Sequence, residues 1–303
     1  MMKVLAIFCS DIHLTETAPP ARSAEPDWME AQGRMLRQLD ALKQEHNCPI
    51  VCAGDLFHRH NPSPYLINWA IDNLPEMLAV PGQHDLPHHR YEDIGRSAYW
   101  TLVKVGRLSD ISQRQHQCQV GKHSVVFCGF AWDFEPSGDL EVGEGMRVAV
   151  SHRFIWTKGK GYPGAPDSHL EMPTIKLYSS FDVAVFGDNH QGFGLRCYPR
   201  IYNCGCLIRR KANERDYKPR VGLLMADGTV DTHYLDLTGD VWAEQPDDSP
   251  DMEDMAEGLK DFISELKNTD TGIIDFEEAV DRWLDGHDCS DPVRKILLEV
   301  VEL

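Results

Sequence analysis

Five short polar clusters, each placed directly after an apolar run, constrain this 303-residue chain more than any other feature. They read Asp11-Ile12-His13, Gly54-Asp55-Leu56-Phe57-His58, Gly82-Gln83-His84-Asp85, Ser151-His152 and Gly187-Asp188-Asn189-His190. An apolar run ending in a polar side chain is what a buried parallel strand looks like when it delivers that side chain to the carboxyl edge of a sheet. Carboxylate and imidazole are the side chains that bind hard or borderline divalent cations. Each cluster alone is weak, since Asp-x-His and Gly-Asp occur in ordinary turns. Five in a workable order imply a two-metal site suited to attack on a phosphate ester.

The segments between the clusters alternate in type. Residues 3–9 read as a central strand, and residues 15–27, with three prolines, as a loop. Met35, Leu36, Leu39 and Leu42 recur at helical spacing between Trp28 and His46. Pro49 to Ala53 reads as a second strand, and Asn61-Pro62-Ser63-Pro64 as a turn opening a helix that runs through Leu74. Met77 to Val80 makes a third strand, and this β-α-β-α-β alternation predicts an α/β layered fold. Residues 92–105 look helical. Further strand-like runs span 124–132, 147–151 and 181–186, and 220–237 reads as a hairpin turning at Asp227-Gly228.

The composition shifts near residue 240. Of the formal charge of −18, residues 240–303 hold 20 acidic and 5 basic side chains, so the rest of the chain is nearly neutral. We expect one domain over 1–240 and an acidic helical region over 241–303, the latter holding three amphipathic helices after a Pro/Asp linker at 245–250. Nucleic acid would avoid that acidic region and could meet only local patches of the body. No stretch approaches the roughly 20 apolar residues of a membrane span. The run from Val4 to Phe8 is short for a signal-peptide core, and none of the nine cysteines forms a Cys-x-x-Cys pair, so the expected location is the cytoplasm.

Ligand roles follow from the chemistry of a cation pair. A carboxylate can bridge two ions with its two oxygens, and Asp55 is the candidate, because the glycine before it leaves room for close approach. Asp11 and His13 flank a single residue, so an extended chain would point both to one side. With His190 they would hold the first ion. Asp55, Gln83, His152 and Asp188 would hold the second. His84 at the rim could protonate the leaving oxygen or stabilise charge on the phosphate. Arg59 and Arg153, beside motif residues, are the candidate phosphate contacts. By spacing alone, His58-Arg59-His60 and His88-His89 read as solvated loops.

With these residues in place, the chain resembles the calcineurin-like metallophosphoesterases, and within them the SbcD and Mre-type DNA repair nucleases. The nearest stretch is Ala53-Gly54-Asp55-Leu56-Phe57-His58 followed by Asn61-Pro62-Ser63-Pro64. Phosphatases of the superfamily more often carry a second aspartate where this chain has His58. Tyr202-Asn203-Cys204-Gly205-Cys206-Leu207-Ile208-Arg209-Arg210 is similar to the segment after the family's last metal motif. The resemblance covers roughly residues 3–237. It implies a two-sheet α/β metallophosphoesterase sandwich flanked by helices, with a small C-terminal helical appendage. It also implies the same metal roles, catalytic His84 and His58, and manganese-dependent hydrolysis of DNA phosphodiesters. A homodimer and an SbcC/Rad-like SMC-type ATPase are the partners it implies.

Two positions depart from the family pattern. Gly-Asn-His-Asp is here Gly82-Gln83-His84-Asp85, and Gly-His-x-His is here Gly187-Asp188-Asn189-His190. Both changes fall on the second ion. A longer amide and a shorter acid would trade reach across it. The resulting set is richer in oxygen, which shifts preference toward manganese, or magnesium, and away from zinc. Two alternatives stay open: a phosphodiesterase or phosphatase for small nucleotides, and a non-catalytic binding subunit that has lost the second ion.

Overall fold

A computed structural model of the chain describes residues 2–136, 143–161 and 176–244. The expected linker over 245–250 and the C-terminal helices lie outside the described residues.

Within them, twelve strands form two six-stranded mixed sheets. The first sheet is built from β1 (Val4–Cys9), β2 (Ile50–Cys52), β3 (Met77–Ala79), β4 (Leu108–Asp110), β11 (Arg220–Met225) and β12 (Val230–Tyr234), in the order β12-β11-β1-β2-β3-β4. Strands β1 to β4 run parallel, and β11 and β12 return antiparallel as a hairpin at the edge. The second sheet holds β5 (Gln115–Val120), β6 (His123–Phe130), β7 (Met146–Ser151), β8 (Val183–Phe186), β9 (Phe193–Leu195) and β10 (Arg200–Asn203), in the order β5-β6-β7-β8-β10-β9. Its four central strands are parallel and its two edge strands antiparallel. This is the expected two-sheet α/β sandwich.

The side-chain period of two shows why these strands read as unbroken apolar runs. On β6, Val125 and Phe127 join the main core between the sheets, while Val126, Cys128 and Phe130 join a second core on the outer face. Val148 and Val150 of β7, and Val183 and Val185 of β8, likewise face the first sheet. Ala149, Ala184 and Phe186 face outward onto Tyr178 and Phe181. Both faces of the sheet are covered, so both sets are apolar.

The helices start and stop on local signals. Helix α1 (Trp28–His46) has Asp27 as its N-cap, accepting from the Glu30 N–H, and ends on Asn47 in the left-handed region. It buries Met35, Leu36, Leu39 and Leu42. Helix α2 (Pro64–Asn73) has Ser63 as N-cap and Pro64 in its first turn, as the Pro-Ser-Pro turn predicts. The single helix expected over 92–105 is instead a 3-10 turn over Tyr91–Arg96, a break at Ser97, and α3 (Ala98–Lys104). The break arises because Ser97 is a cap: its side chain accepts from the Trp100 N–H.

Candidate metal centre

All five clusters meet at the carboxyl ends of β1, β2, β3, β7 and β8. The loops after β1 and β2 continue the parallel pairing of their strands through backbone bonds. Asp11 N–H donates to the Gly54 carbonyl (3.0 Å), His13 N–H to that of Asp55 (3.0 Å), and Leu14 N–H to that of Leu56 (2.9 Å). The chain here is not extended. Asp11 (φ 49°), His13 (φ 48°) and Asp55 (φ 54°) all sit in the left-handed region. The expectation that an extended Asp11-Ile12-His13 would present both ligands is therefore corrected: two left-handed residues bend the loop over the sheet edge. Such backbone costs of order 1–3 kcal/mol per residue and persists where surroundings over-determine it.

Glycine permits the crowding. Gly54 has φ 98°, and a Cβ there would lie 2.2 Å from His152 Nδ1. A Cβ on Gly82 would lie 2.0 Å from Asp55 Oδ1.

Of the four candidate ligand groups among the described residues, two share Asp11 and meet here. The ligand atoms of Asp11, His13 and His190 lie within 4.8 Å of one another, and so do those of Asp11, Asp55 and His152. Asp55 lies between them, its Oδ2 being 3.5 Å from His13 Nε2 and 3.3 Å from His152 Nε2. Its Oδ1 accepts from the His84 N–H at 3.0 Å. Asp55 Oδ2, His152 Nε2 and Gln83 Oε1 are buried and have no hydrogen-bond partner. Buried polar atoms are seldom left so, and a lone-pair atom in that state suits a cation. His152 donates from Nδ1 to the Ala53 carbonyl, which leaves Nε2 available to ligate a cation. The donor set therefore fits divalent cations on this geometry.

Asp188 stands apart from both groups. Its carboxylate accepts from Gln83 Nε2 at 2.9 Å, and its N–H donates to both oxygens of Asp11. The two residues that depart from the family pattern are thus bonded to each other, with the Gln83 amide oxygen left over.

Electrostatics reflect the crowding of charge. Burial pushes the Asp11 carboxyl above its usual range, with Asp55 adding to the shift and His190 and His152 opposing it. Burial also works against ionisation of Asp55, yet His152 and His84 outweigh it and hold the carboxyl at about 2. His13 is pushed well below the usual imidazole range by burial and by His84, His190 and Arg210. His152 and His190 move the other way. Burial opposes their charge, but Asp55 and Asp11 raise His152, and Glu214 and Asp11 raise His190.

The wall of the site holds residues that spacing alone did not assign. His58 is 4% exposed, not a solvated loop residue. Its ring stands 5.7 Å from that of His13 and stacks on His84 at 5.4 Å. His84 donates from Nδ1 to the His58 carbonyl (2.9 Å), so its Nε2 carries the lone pair when the ring is neutral. Arg210 donates to His58 Nδ1 at 2.9 Å. Asp85, fully buried, accepts from the N–H groups of Leu56, Phe57 and Gly82 and ties the β2 and β3 loops together. Burial, with Asp55, pushes its carboxyl up to about 7. Glu214 accepts from the Arg210 and Lys211 N–H groups and pairs with His190 Nδ1 at 3.2 Å. Asn203 donates to the carbonyls of Asn189 and Gln191, and Asn189 to those of Ile155 and Lys160. Glu214 lies 24 positions beyond His190 and no motif marks it; Asn203, 13 positions beyond, falls in the Tyr202–Arg210 segment, which gave it no role.

The basic candidates divide. Arg153 pairs with Glu135, and Arg59 is half-buried beside His58. Arg209, which adjoins Arg210 in sequence, is buried and bound to Asp240 and to the Arg215 carbonyl, so it is a structural cation rather than a phosphate contact.

Among solved structures, the chain is similar to TT1561 of Thermus thermophilus, with a TM-score of 0.46 and 12% identity over 77% of this chain and 99% of that one. It is also similar to the Thermus thermophilus sulfate thiohydrolase SoxB in complex with glycerol, with a TM-score of 0.45 and 11% identity over 87% of this chain and 60% of that one. No curated protein matches it. The sequence profile of the Calcineurin-like phosphoesterase family matches residues 5–192, a span that runs from β1 through His190 and carries all five clusters, and the chain belongs to that family.

Proposed function

We propose that this member of the family is a metal-dependent phosphodiesterase that cuts DNA, in the manner of the SbcD/Mre branch. One observation carries the hydrolytic part: Asp55 Oδ2, bare of hydrogen bonds, lies between the Asp11/His13/His190 group and His152. Two divalent cations held there would polarise the phosphate and lower the pKa of the attacking water. Asp55 would be shared. Asp11, His13 and His190 would hold one cation, and His152 with the free Gln83 oxygen the other. The bond between Gln83 and Asp188 supports paired compensation at the second position, because it aims the amide nitrogen at Asp188 and spares the oxygen. With three oxygen-donating side chains beside three imidazoles, this set is compatible with manganese or magnesium.

His84 is the proton donor of this reading. Its Nδ1 is committed to the His58 carbonyl, so a proton on Nε2 is the one delivered to the leaving oxygen. His58 orients it by stacking, and Arg210 fixes His58 in turn. The nuclease assignment rests on the Gly54-Asp55-Leu56-Phe57-His58 resemblance and on the place of His58 beside His13 and His84. The test is parallel hydrolysis of single- and double-stranded DNA, a cyclic nucleotide and an aryl phosphodiester with manganese, magnesium or zinc. The reading expects cleavage of DNA and a manganese optimum. Cleavage of the cyclic nucleotide alone would replace it with a small-nucleotide phosphodiesterase. Metal binding with no hydrolysis of any substrate would replace it with a binding subunit.

A further inference from the structure

A second cavity, of about 700 Å³, lies where the edge pair β9–β10 of one sheet faces the hairpin β11–β12 of the other. That volume is in the range of small-ligand sites. Arg196, Arg200 and Arg220 line it, with Tyr198, Tyr202, Thr229 and Thr232, and Asp231 is its one acidic lining residue. The local excess of positive charge contrasts with the chain's net −18. Among the described residues none of the three arginines forms an ion pair. The exposed Asp227 is close enough for Arg200 to help hold its carboxyl low, after the larger effect of Thr229.

Arg220 is the built part of the cavity. Its guanidinium lies over the Tyr202 ring, 5.5 Å from the centroid, and its Nε and Nη2 are buried without a hydrogen-bond partner. It fits there because residue 192 is glycine: a Cβ on Gly192 would lie 2.4 Å from Arg220 Nε. Nε and Nη2 are closed to solvent and so to a ligand, but the guanidinium fixes a positive charge in the cavity wall that an anion would offset. Planar guanidinium groups match the oxygens of a phosphoryl group. The other large cavity, of about 840 Å³, mixes Arg37, Lys43 and Arg107 with Asp40, Asp72 and Glu76, and so selects no sign of charge.

From the three arginines that line it, none of them ion-paired among the described residues, we infer that this cavity binds a phosphoryl group, belonging either to a nucleic-acid backbone or to a free nucleotide. The inference rests on the cavity alone and does not need the metal centre. Its test is calorimetric titration with EDTA present, which removes cation-mediated binding. The probes are a 5′-phosphorylated decathymidylate and ADP, against the native chain and the double variant Arg196→Ala/Arg200→Ala. Arg220 is left intact because it packs against Tyr202. The expected result is at least a tenfold weaker Kd for one probe in the variant, with an unchanged melting temperature. Weakening for the decathymidylate identifies the strand as the source of the phosphate, and weakening for ADP alone identifies a nucleotide. The double variant Arg196→Lys/Arg200→Lys should recover part of the loss. If neither probe binds the native chain, or both bind the alanine variant equally well, the inference is overturned. Metal-dependent hydrolysis of the aryl phosphodiester, measured separately, tests the proposed function independently of this result.

Discussion

The two sheets position their candidate ligands by different means. On the first, the loops carrying Asp11, His13 and Asp55 are held by main-chain bonds that extend strand pairing past Cys9 and Cys52, with Asp85 bracing the β2 loop. On the second, the loop carrying Asp188 and His190 has main-chain bonds from Gly187 and Cys206 but leans further on side chains: its own Asn189 donates to the Ile155 and Lys160 carbonyls, Asn203 to the Asn189 carbonyl, and Glu214 binds His190 itself. Backbone pairing tolerates changes of side chain, whereas a network of single side chains loses geometry with each one removed. Substitutions of non-ligand residues should therefore be felt more sharply on the second side.

The largest effect should come where the two sides meet. Asp55→Asn removes the shared anion, and metal-dependent hydrolysis should fall to background while equilibrium dialysis shows both cations weakened. Retention of two tightly bound cations would break the bridging assignment. Gly54→Ala tests the backbone-held side at its tightest point. A left-handed φ and a Cβ 2.2 Å from His152 should together cost about 3 kcal/mol or more, read as a lowered unfolding midpoint.

His84→Ala belongs to the first side but touches no ligand-holding bond except its own N–H to Asp55, which the variant keeps. Turnover should fall by roughly 10²–10⁴-fold with metal content intact. Loss of metal would mean that His84 is a ligand rather than an acid. Glu214→Gln is its counterpart on the second side. There, metal affinity should weaken by about 10–100-fold with less change in turnover at saturating metal, and equal affinity would erase the contrast between the sides.

The smallest effect lies farther off, at the tie between the α1 entry and the segment over 237–244. Burial opposes the charge of Glu25, but Arg22, the Val241 N–H and Arg34 outweigh it and hold its carboxyl below the usual range. A depressed carboxyl adds stability above its unfolded pKa, near 4.5, and that stability is lost as pH falls through the lower folded value. Glu25→Gln should cost about 1–2 kcal/mol at pH 7 and flatten the acid limb of a melting-temperature profile. An unchanged acid limb would remove Glu25 from that tie.

The sequence exposes the first side better than the second for the same physical reason. Strands β1, β2, β3, β6, β7 and β8 are buried on both faces, so their apolar runs stand out. Strand β5, Gln115-His116-Gln117-Cys118-Gln119-Val120, is a largely solvated edge whose polar alternation hides it. Strands β4 (Leu-Ser-Asp) and β9 (Phe-Gly-Leu) are as short as β2 and β3 but are not apolar throughout, so no run marks them. The clusters themselves are legible because a ligand must follow its strand. The left-handed turns at Asp11 and His13 are not, since neither residue is glycine and the surrounding bonds, rather than local preference, set their conformation. Glu214 escapes, and Asn203 is seen without its role, because both roles come from proximity in space. His58 shows the reverse error: a His-Arg-His string reads as solvent-facing until the Arg210 contact and the His84 stack bury it.

The continued pairing of the β1 and β2 loops bears on how the molecule breathes. The amides of Asp11, His13 and Leu14 are bonded as ladder positions, not as loop positions. Their hydrogen exchange should accordingly track whole-molecule opening, slow and denaturant-sensitive, whereas amides in the solvated β5 edge should exchange through local fraying.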